Sequence, residues 1–331
     1  MTVHQKMKSS PWLLFFFTVG LFLPPAAWSA GLKKAILLPQ WFPQAQFAGY
    51  YVAFETGLYK KHGIDLKILR GGPERSFGKM LADGQADFAT QFLSTGIEKR
   101  SQGFRIVSIG QIVQRSGLML VAKKSSGIRA PADLNGKQVS LWKDFELQPR
   151  AFFRKYNLRV DVIPQAYTLN LFLRDGVDAA SAMWYNEYHS ILNAGINEDE
   201  LTTFFFERHG LNFPEDAVFC LEETWRKDPA LCCAFMKATI EGWQYAFAHP
   251  EEALDIVMKY VNEARINTSR VHQKWMFERM RDIILPQGNN QHLGRLSEAD
   301  YQTVSQELHR AGIIKTIPPY GVFHVDCQGQ D

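Results

Sequence analysis

The sequence predicts an α/β protein built as two lobes around a cleft. Three observations carry this. Short apolar segments alternate with helical ones from residue 33 onwards, the signature of a largely parallel sheet. The alternation restarts at Pro131, so there are two such units. No Pro/Gly/Ser-rich linker separates them, and from Glu222 on the chain is almost all helix. In open α/β sheets a ligand sits beyond the C-terminal ends of the strands, so two facing sheets make a cleft.

In the first unit "KKAILLP" reads as a buried strand and "QFAGYYVAFETGLYKKHG" as a helix ending at Gly63, with Lys60, Lys61 and His62 favourable near its C-terminus. "IDLKILRG" alternates apolar and polar and forms a second strand. "PERSFGKMLADG" is a helix closed by Gly84, "QADFATQF" a third strand, and "STGIEKRSQG" a helix with a capping residue at Ser94 or Thr95. "FRIVSIGQIV" and "GLMLVAKK" are further strands. In the second unit the strands are "QVSLW", "VDVIPQ", "VDAASAMW", "LTTFFFE" and "AVFCL"; the helices are "ELQPRAFFRKYNL", "TLNLFLRDG" and "YNEYHSILNAG". The expected division is a first lobe over 30–121, a second over 122–220, and a return to the first lobe with C-terminal helices over 221–331.

The chain has 331 residues, 46% hydrophobic and 21% charged, an ordinary globular composition. Residues 1–29 have the layout of a cleavable secretory signal: Lys6 and Lys8, an apolar run broken by Pro24 and Pro25, and small residues at Ala27 and Ser29 before Ala30. The expected location is the periplasm. Without those two lysines the formal charge falls from +3 to +1, which offers no electrostatic footprint for nucleic acid. The four cysteines, Cys220, Cys232, Cys233 and Cys327, have no zinc-ligand spacing. Cys232 and Cys233 are adjacent in an apolar helix and cannot face the same way; buried small side chains, or a bridge from Cys220 to one of them, both fit.

No nucleophile elbow, phosphate-binding loop or H-E-x-x-H motif occurs. The candidate site residues are aromatic and amide instead. Trp41 leaves the first strand at the C-terminal edge of the sheet, where its ring can wall a planar heterocycle or close the core. Phe47, Tyr51, Phe54 and Leu58 share one helical stripe, a core face. Tyr50 lies about 100° away and is the candidate for ligand contact, with Tyr51 as the alternative.

In "MWYNEY", Trp184 ends a strand opposite Trp41, Asn186 offers both donor and acceptor, and Glu187 can accept from an exocyclic amine and a ring N–H. Glu187 equally suits the first turn of a helix. Gln91 and Ser94 end the third strand and can bond a ligand or cap the strand end. Asp144 and Glu146 are placed at the rim.

These segments carry a resemblance. "WFPQAQFAGYYVAFETGLYKKHGIDLKI", "LADGQADFAT", "DLNGKQVSLW", "GVDAASAMWYNEY" and "TWRKDPALCCAFMKATIEGWQYAFAHPEEAL" resemble, in order, the family that groups periplasmic thiamine-pyrimidine-precursor-binding proteins with the thiamine pyrimidine synthases. The resemblance spans about residues 34–261 and extends to binding proteins for sulfonates, nitrate, taurine and riboflavin. It implies the type II periplasmic-binding-protein fold, two lobes joined by two crossing strands.

It also implies a monomeric solute receptor for an ABC permease in the inner membrane, with a thiamine pyrimidine precursor as ligand. A sensory receptor that signals to a membrane kinase shares the same signature. The synthases carry a cysteine run, a substrate histidine and a lysine for pyridoxal phosphate. Here those positions fall on Leu211–Glu215, on Ser94 or Thr95, and on Gln91. Asp144 and Glu146 stand where a phosphate would be held. The resemblance therefore implies binding without catalysis and without a cofactor.

Overall fold

The computed structural model describes residues 1–2 and 31–327. The leader expected over 1–29 lies, apart from Met1 and Thr2, outside the described residues. Ten strands form two five-stranded sheets: β1 (Lys33–Leu38), β2 (Ile64–Ile68), β3 (Phe88–Gln91), β4 (Ile106–Gln111), β5 (Leu118–Lys123), β6 (Gln138–Leu141), β7 (Asp161–Pro164), β8 (Ala179–Met183), β9 (Leu201–Phe205) and β10 (Ala217–Leu221). The first sheet has the order β2-β1-β3-β10-β4 and the second β7-β6-β8-β5-β9.

The sheets are mixed rather than largely parallel. β1, β2 and β3 run parallel, as do β6, β7 and β8, but β10 is antiparallel to β3 and β4, and β5 to β8 and β9. The reason is geometric. The parallel strands end at the cleft, whereas β5 and β10 begin there, having just crossed from the other lobe. Each crossing strand thus pairs in the lobe it enters, in reversed direction. The crossings run through 112–116 and 211–216, a few residues ahead of the divisions expected after residues 121 and 220. They are tied together: Ser116 N donates to Asn212 Oδ1 (3.0 Å), and Asn212 Nδ2 to the Gln114 carbonyl (3.0 Å).

The helix expected over 46–63 is broken in two, Ala48–Glu55 and Leu58–Lys61, because Gly57 adopts φ +76°. Residues 48–53 are buried on every side, so this helix is not amphipathic. It crosses the long Pro229–Ala248 helix at backbone contact distance. A Cβ on Gly49 would stand 2.3 Å from the Trp243 ring, and one on Gly242 2.3 Å from Gly49 O. Of the expected core stripe, Phe47 and Tyr51 are fully buried, Phe54 and Leu58 half-buried.

Helix Arg270–Ile284 packs on both lobes. Gln273 Oε1 accepts from Ala45 N (2.7 Å) in the first, while Trp275 Nε1 donates to Trp184 O (3.0 Å) in the second. Cys233 and Cys327 form a disulfide that fastens the C-terminal segment to the Pro229–Ala248 helix; Cys220 and Cys232 are free and buried. The adjacent cysteines thus point opposite ways, and the bridge uses the pair that excludes Cys220. Among the described residues no helix is long and apolar enough to cross a membrane.

Candidate functional site

The cleft between the lobes holds about 300 Å³. Its first-lobe wall is the loop that follows β1, with Gln40, Trp41, Gln44 and Gln46, joined by Phe92 after β3. Its second-lobe wall comes from three strand ends: Trp142 to Phe145 after β6, Gln165 to Tyr167 after β7, and Met183, Tyr185, Asn186 and Glu187 after β8. Gly71 supports the first wall from behind. A Cβ there would lie 2.1 Å from Trp41 O and 2.3 Å from Pro39 O, so only glycine lets the β1 loop settle.

Aromatic rings meet across the cleft. Trp41 packs on Tyr167 with centroids 5.9 Å apart, and Phe92 stands edge-on to Phe145 at 4.9 Å. Rings at such separations attract beyond the area they bury. A planar ligand admitted here faces π-surfaces from both lobes.

Glu187 is the carboxyl in this setting. Its Oε2 accepts from Met183 N (3.0 Å) and its Oε1 from Asn186 Nδ2 (2.7 Å). Burial among the rings pushes its carboxyl up to about 7, against the hydrogen bonds that favour the charged form. Asn186 is oriented in turn by His272, whose Nε2 donates to Asn186 Oδ1 (2.7 Å). His272 lies on the helix shared by the two lobes, where burial and the neighbouring His189 lower it to about 4, so it is neutral.

Behind the cleft lining, at the junction of the lobes, Glu215 and Asp216 are each about 1% exposed. Glu215 Oε1 accepts from Gly117 N (2.6 Å), and its Oε2 from the Tyr185 hydroxyl (3.0 Å). Asp216 Oδ2 accepts from Gln46 Nε2 (2.9 Å), and its Oδ1 from Gln40 Nε2. Burial, joined at Glu215 by repulsion from Asp216, pushes the carboxyls up to about 8 and about 7.

Trp41, Asn186, Glu187 and Asp144 are brought to the cleft as the sequence suggested. Others are not. Tyr50 is fully buried, edge-on to Trp243 at 6.2 Å, and Tyr51 stacks on Tyr260 at 4.1 Å. Their helix is enclosed on all faces, and the loop before it forms the wall. Trp184 faces away from the cleft, edge-on to Phe205 at 5.4 Å and under the Arg279 guanidinium at 5.0 Å. Side chains alternate at a strand end, so its neighbours Met183 and Tyr185 take the cleft side. Gln91 turns its Oε1 to Phe92 N (2.9 Å) and does not line the main cleft. Ser94 lines a separate pocket of about 30 Å³ with Ser116, Gln148 and Glu215. Glu146 pairs with Arg150 on its own helix (2.7 Å).

The glutamines Gln40, Gln44 and Gln46 and the rings Phe92, Phe145, Tyr167 and Tyr185 were not singled out from sequence. The "QWFPQAQ" run, three amides around a strand-end tryptophan, was the available signal.

Together the lobes, the crossing segments and the interlobe cleft define a periplasmic-binding-protein fold. A solved structure of the periplasmic aliphatic sulphonate binding protein SsuA from Escherichia coli superposes with a TM-score of 0.68 at 13% identity, covering 88% of this chain and 91% of that one. The profile described as "NMT1/THI5 like" matches residues 44–253, and the chain belongs to that family.

Its relatives divide by name. A Haemophilus influenzae protein named for thiamine biosynthesis is 22% identical over 91% of this chain and 93% of its own. The 4-amino-5-hydroxymethyl-2-methylpyrimidine phosphate synthase of Legionella pneumophila is 24% identical over 70% of this chain and 75% of its own. The formylaminopyrimidine-binding protein of Halalkalibacterium halodurans is 22% identical over 70% and 72%.

At Leu211–Glu215 no thiol is present, and Glu215 is committed to Gly117 and Tyr185. Lys143, the lysine in the cleft lining, is exposed beside Asp144.

Proposed function

We propose that this protein is the periplasmic solute-binding component of an ABC importer and closes on a small planar nitrogen heterocycle, a thiamine pyrimidine precursor. The observation that carries the reading is Glu187, a carboxyl near neutrality in an aromatic cleft of about 300 Å³. An aminopyrimidine presents an amine beside a ring nitrogen, and a carboxyl can pair with both. Trp41 and Tyr167 supply the flat contacts. The signal-like segment over 1–29 supports export, and the family supports the ligand class.

Ligand between the lobes stabilises the closed arrangement because both walls touch it only there. An inner-membrane permease would read that closed form, with the binding protein acting as a monomer. The glutamine and carboxylate lining disfavours a sulfonate or phosphate, which needs donors or cations.

The test is a thermal shift of the mature protein with formylaminopyrimidine. The reading expects a rise in Tm at millimolar ligand and none with an alkanesulfonate; no shift with the pyrimidine removes this ligand choice. The synthase-named relatives favour a second reading, a divergent pyrimidine synthase. Single-turnover pyrimidine formation with pyridoxal phosphate and iron would establish it.

A further inference from the structure

The cleft is rich in amides, and their nitrogens are turned to protein acceptors. Gln40 and Gln46 give their Nε2 groups to Asp216. Gln44 gives its Nε2 to Gln46 Oε1 (2.5 Å). Gln165 gives its Nε2 to Ser181 O (2.9 Å), and its Oε1 accepts from Ser140 Oγ (2.9 Å) and Ser181 N (3.2 Å). The Tyr185 hydroxyl is spent on Glu215. The acceptors left over are Gln40 Oε1, Gln44 Oε1 and the carboxyl groups of Glu187 and Asp144. The donors left over are the second hydrogens of these amides, the Trp41 indole, and at the rim the Tyr167 hydroxyl and the exposed Lys143.

The assignment follows from the buried acids. An ionised carboxylate can only accept, so when Asp216 is ionised each amide facing it presents its nitrogen there and its oxygen to the cleft. Glu215 and Asp216 are consecutive but turned to opposite lobes, Glu215 to Gly117 and Tyr185, Asp216 to Gln40 and Gln46. Asp216 reaches its partners at φ +35°, in the left-handed region that costs a non-glycine residue strain. Strain of this kind persists where surrounding contacts hold it. Burial first, then the Asp216 charge, hold the Tyr50 phenol well above its usual value, and its hydroxyl has no hydrogen-bond partner among the described residues.

We infer that Glu215 and Asp216 set the hydrogen-bond polarity of the cleft. When ionised they draw amide and phenol hydrogens inwards and turn amide oxygens to the cleft, which favours a planar ligand that presents donors, an amine or an amidinium-type cation. This rests on the cleft being the ligand site but not on the ligand being a pyrimidine. Both residues are positioning residues, acting through Gln40, Gln46 and Tyr185.

The test compares two planar probes of the same size, benzamidine and benzoate, at about pH 9, where both acids are ionised, by thermal shift and calorimetry on the wild type, Asp216→Asn and Glu215→Gln. Benzamidine presents only donors and benzoate only acceptors. The wild type is expected to bind benzamidine at least about tenfold more tightly than benzoate, because acceptors left unpaired in a closed site are penalised.

In Asp216→Asn one glutamine must reverse its amide. In Glu215→Gln the new amide turns the Tyr185 hydroxyl hydrogen outwards. Each variant therefore adds a donor to the cleft, and the preference is expected to shrink to under about threefold. A general loss of packing would weaken both probes equally and leave the ratio unchanged.

An unchanged ratio in variants that still melt cooperatively overturns the inference. So does wild-type protein that binds benzoate as well as benzamidine, or binds no benzamidine, and this arm holds even where a variant fails to fold. Benzamidine binding without pyrimidine binding supports the inference and removes the proposed ligand.

Discussion

The two walls of the cleft do different work with different chemistry. The first-lobe wall is a loop of glutamines around one tryptophan, and its amides are fixed by an acid in the lobe junction. The second-lobe wall is aromatic and carries the carboxyl Glu187, fixed by its own backbone at Met183 and through Asn186 by a helix shared by both lobes. Neither wall makes a complete site. The first offers oxygen acceptors and the Trp41 and Phe92 rings; the second offers the Glu187 carboxyl and the opposing rings. A ligand that needs both is held only when the lobes meet, which is what a receptor that reports occupancy by closing requires.

The comparison can be broken at either wall. The largest loss is expected at the second. Glu187→Ala removes the charge-assisted pair and should weaken aminopyrimidine binding about 30- to 100-fold by calorimetry, with little change in Tm. Trp41→Ala in the first wall removes a stacking face but no hydrogen bond, and should cost about tenfold. A similar loss for both would mean that stacking and pairing are not divided between the lobes.

Gly71→Ala touches no ligand, yet it pushes on the Trp41 and Pro39 carbonyls. It should lower both stability, by about 1–3 kcal/mol in denaturant unfolding, and affinity. The smallest effect on affinity is expected at Trp184. Trp184→Ala should lower Tm, because its ring carries Phe205 and Arg279, and leave the dissociation constant unchanged within about twofold.

The junction acids predict a pH dependence as well. Glu215, Asp216 and Glu187 have folded-state values raised to about 8, 7 and 7, above those of an unfolded chain. In that window the folded protein holds more protons than the unfolded one, so its stability falls as pH rises. The buried histidines act oppositely, but above pH 7.5 they are largely neutral in both states. Tm should therefore fall between pH 7.5 and 8.5, and Glu215→Gln should flatten the slope.

The order of strands and helices was legible along the whole described chain, because runs such as "KKAILLP" and "VDAASAMW" carry strand periodicity bounded by clear turns. The mixed direction of the sheets was not, since it depends on where β5 and β10 enter after crossing. Glu187 and Asn186 could be placed because they follow directly on a strand end. Tyr50 was misplaced because helical spacing assumes one wet face, and its helix is enclosed. Trp184 was misplaced because the larger ring drew attention from its neighbours, Met183 and Tyr185, which alternation sends to the cleft. Glu215 and Asp216 carried no local sign of their role. Gly117 lies 98 residues from Glu215, and Gln40 in the β1 loop lies 176 from Asp216.

The most direct test of the central claim is a calorimetric titration of the mature protein with formylaminopyrimidine, run in parallel on wild type and Glu187→Gln. The two-walled cleft predicts saturable one-to-one binding by the wild type and at least about tenfold weaker binding by the variant. No binding by the wild type, or equal binding by the two, would contradict it.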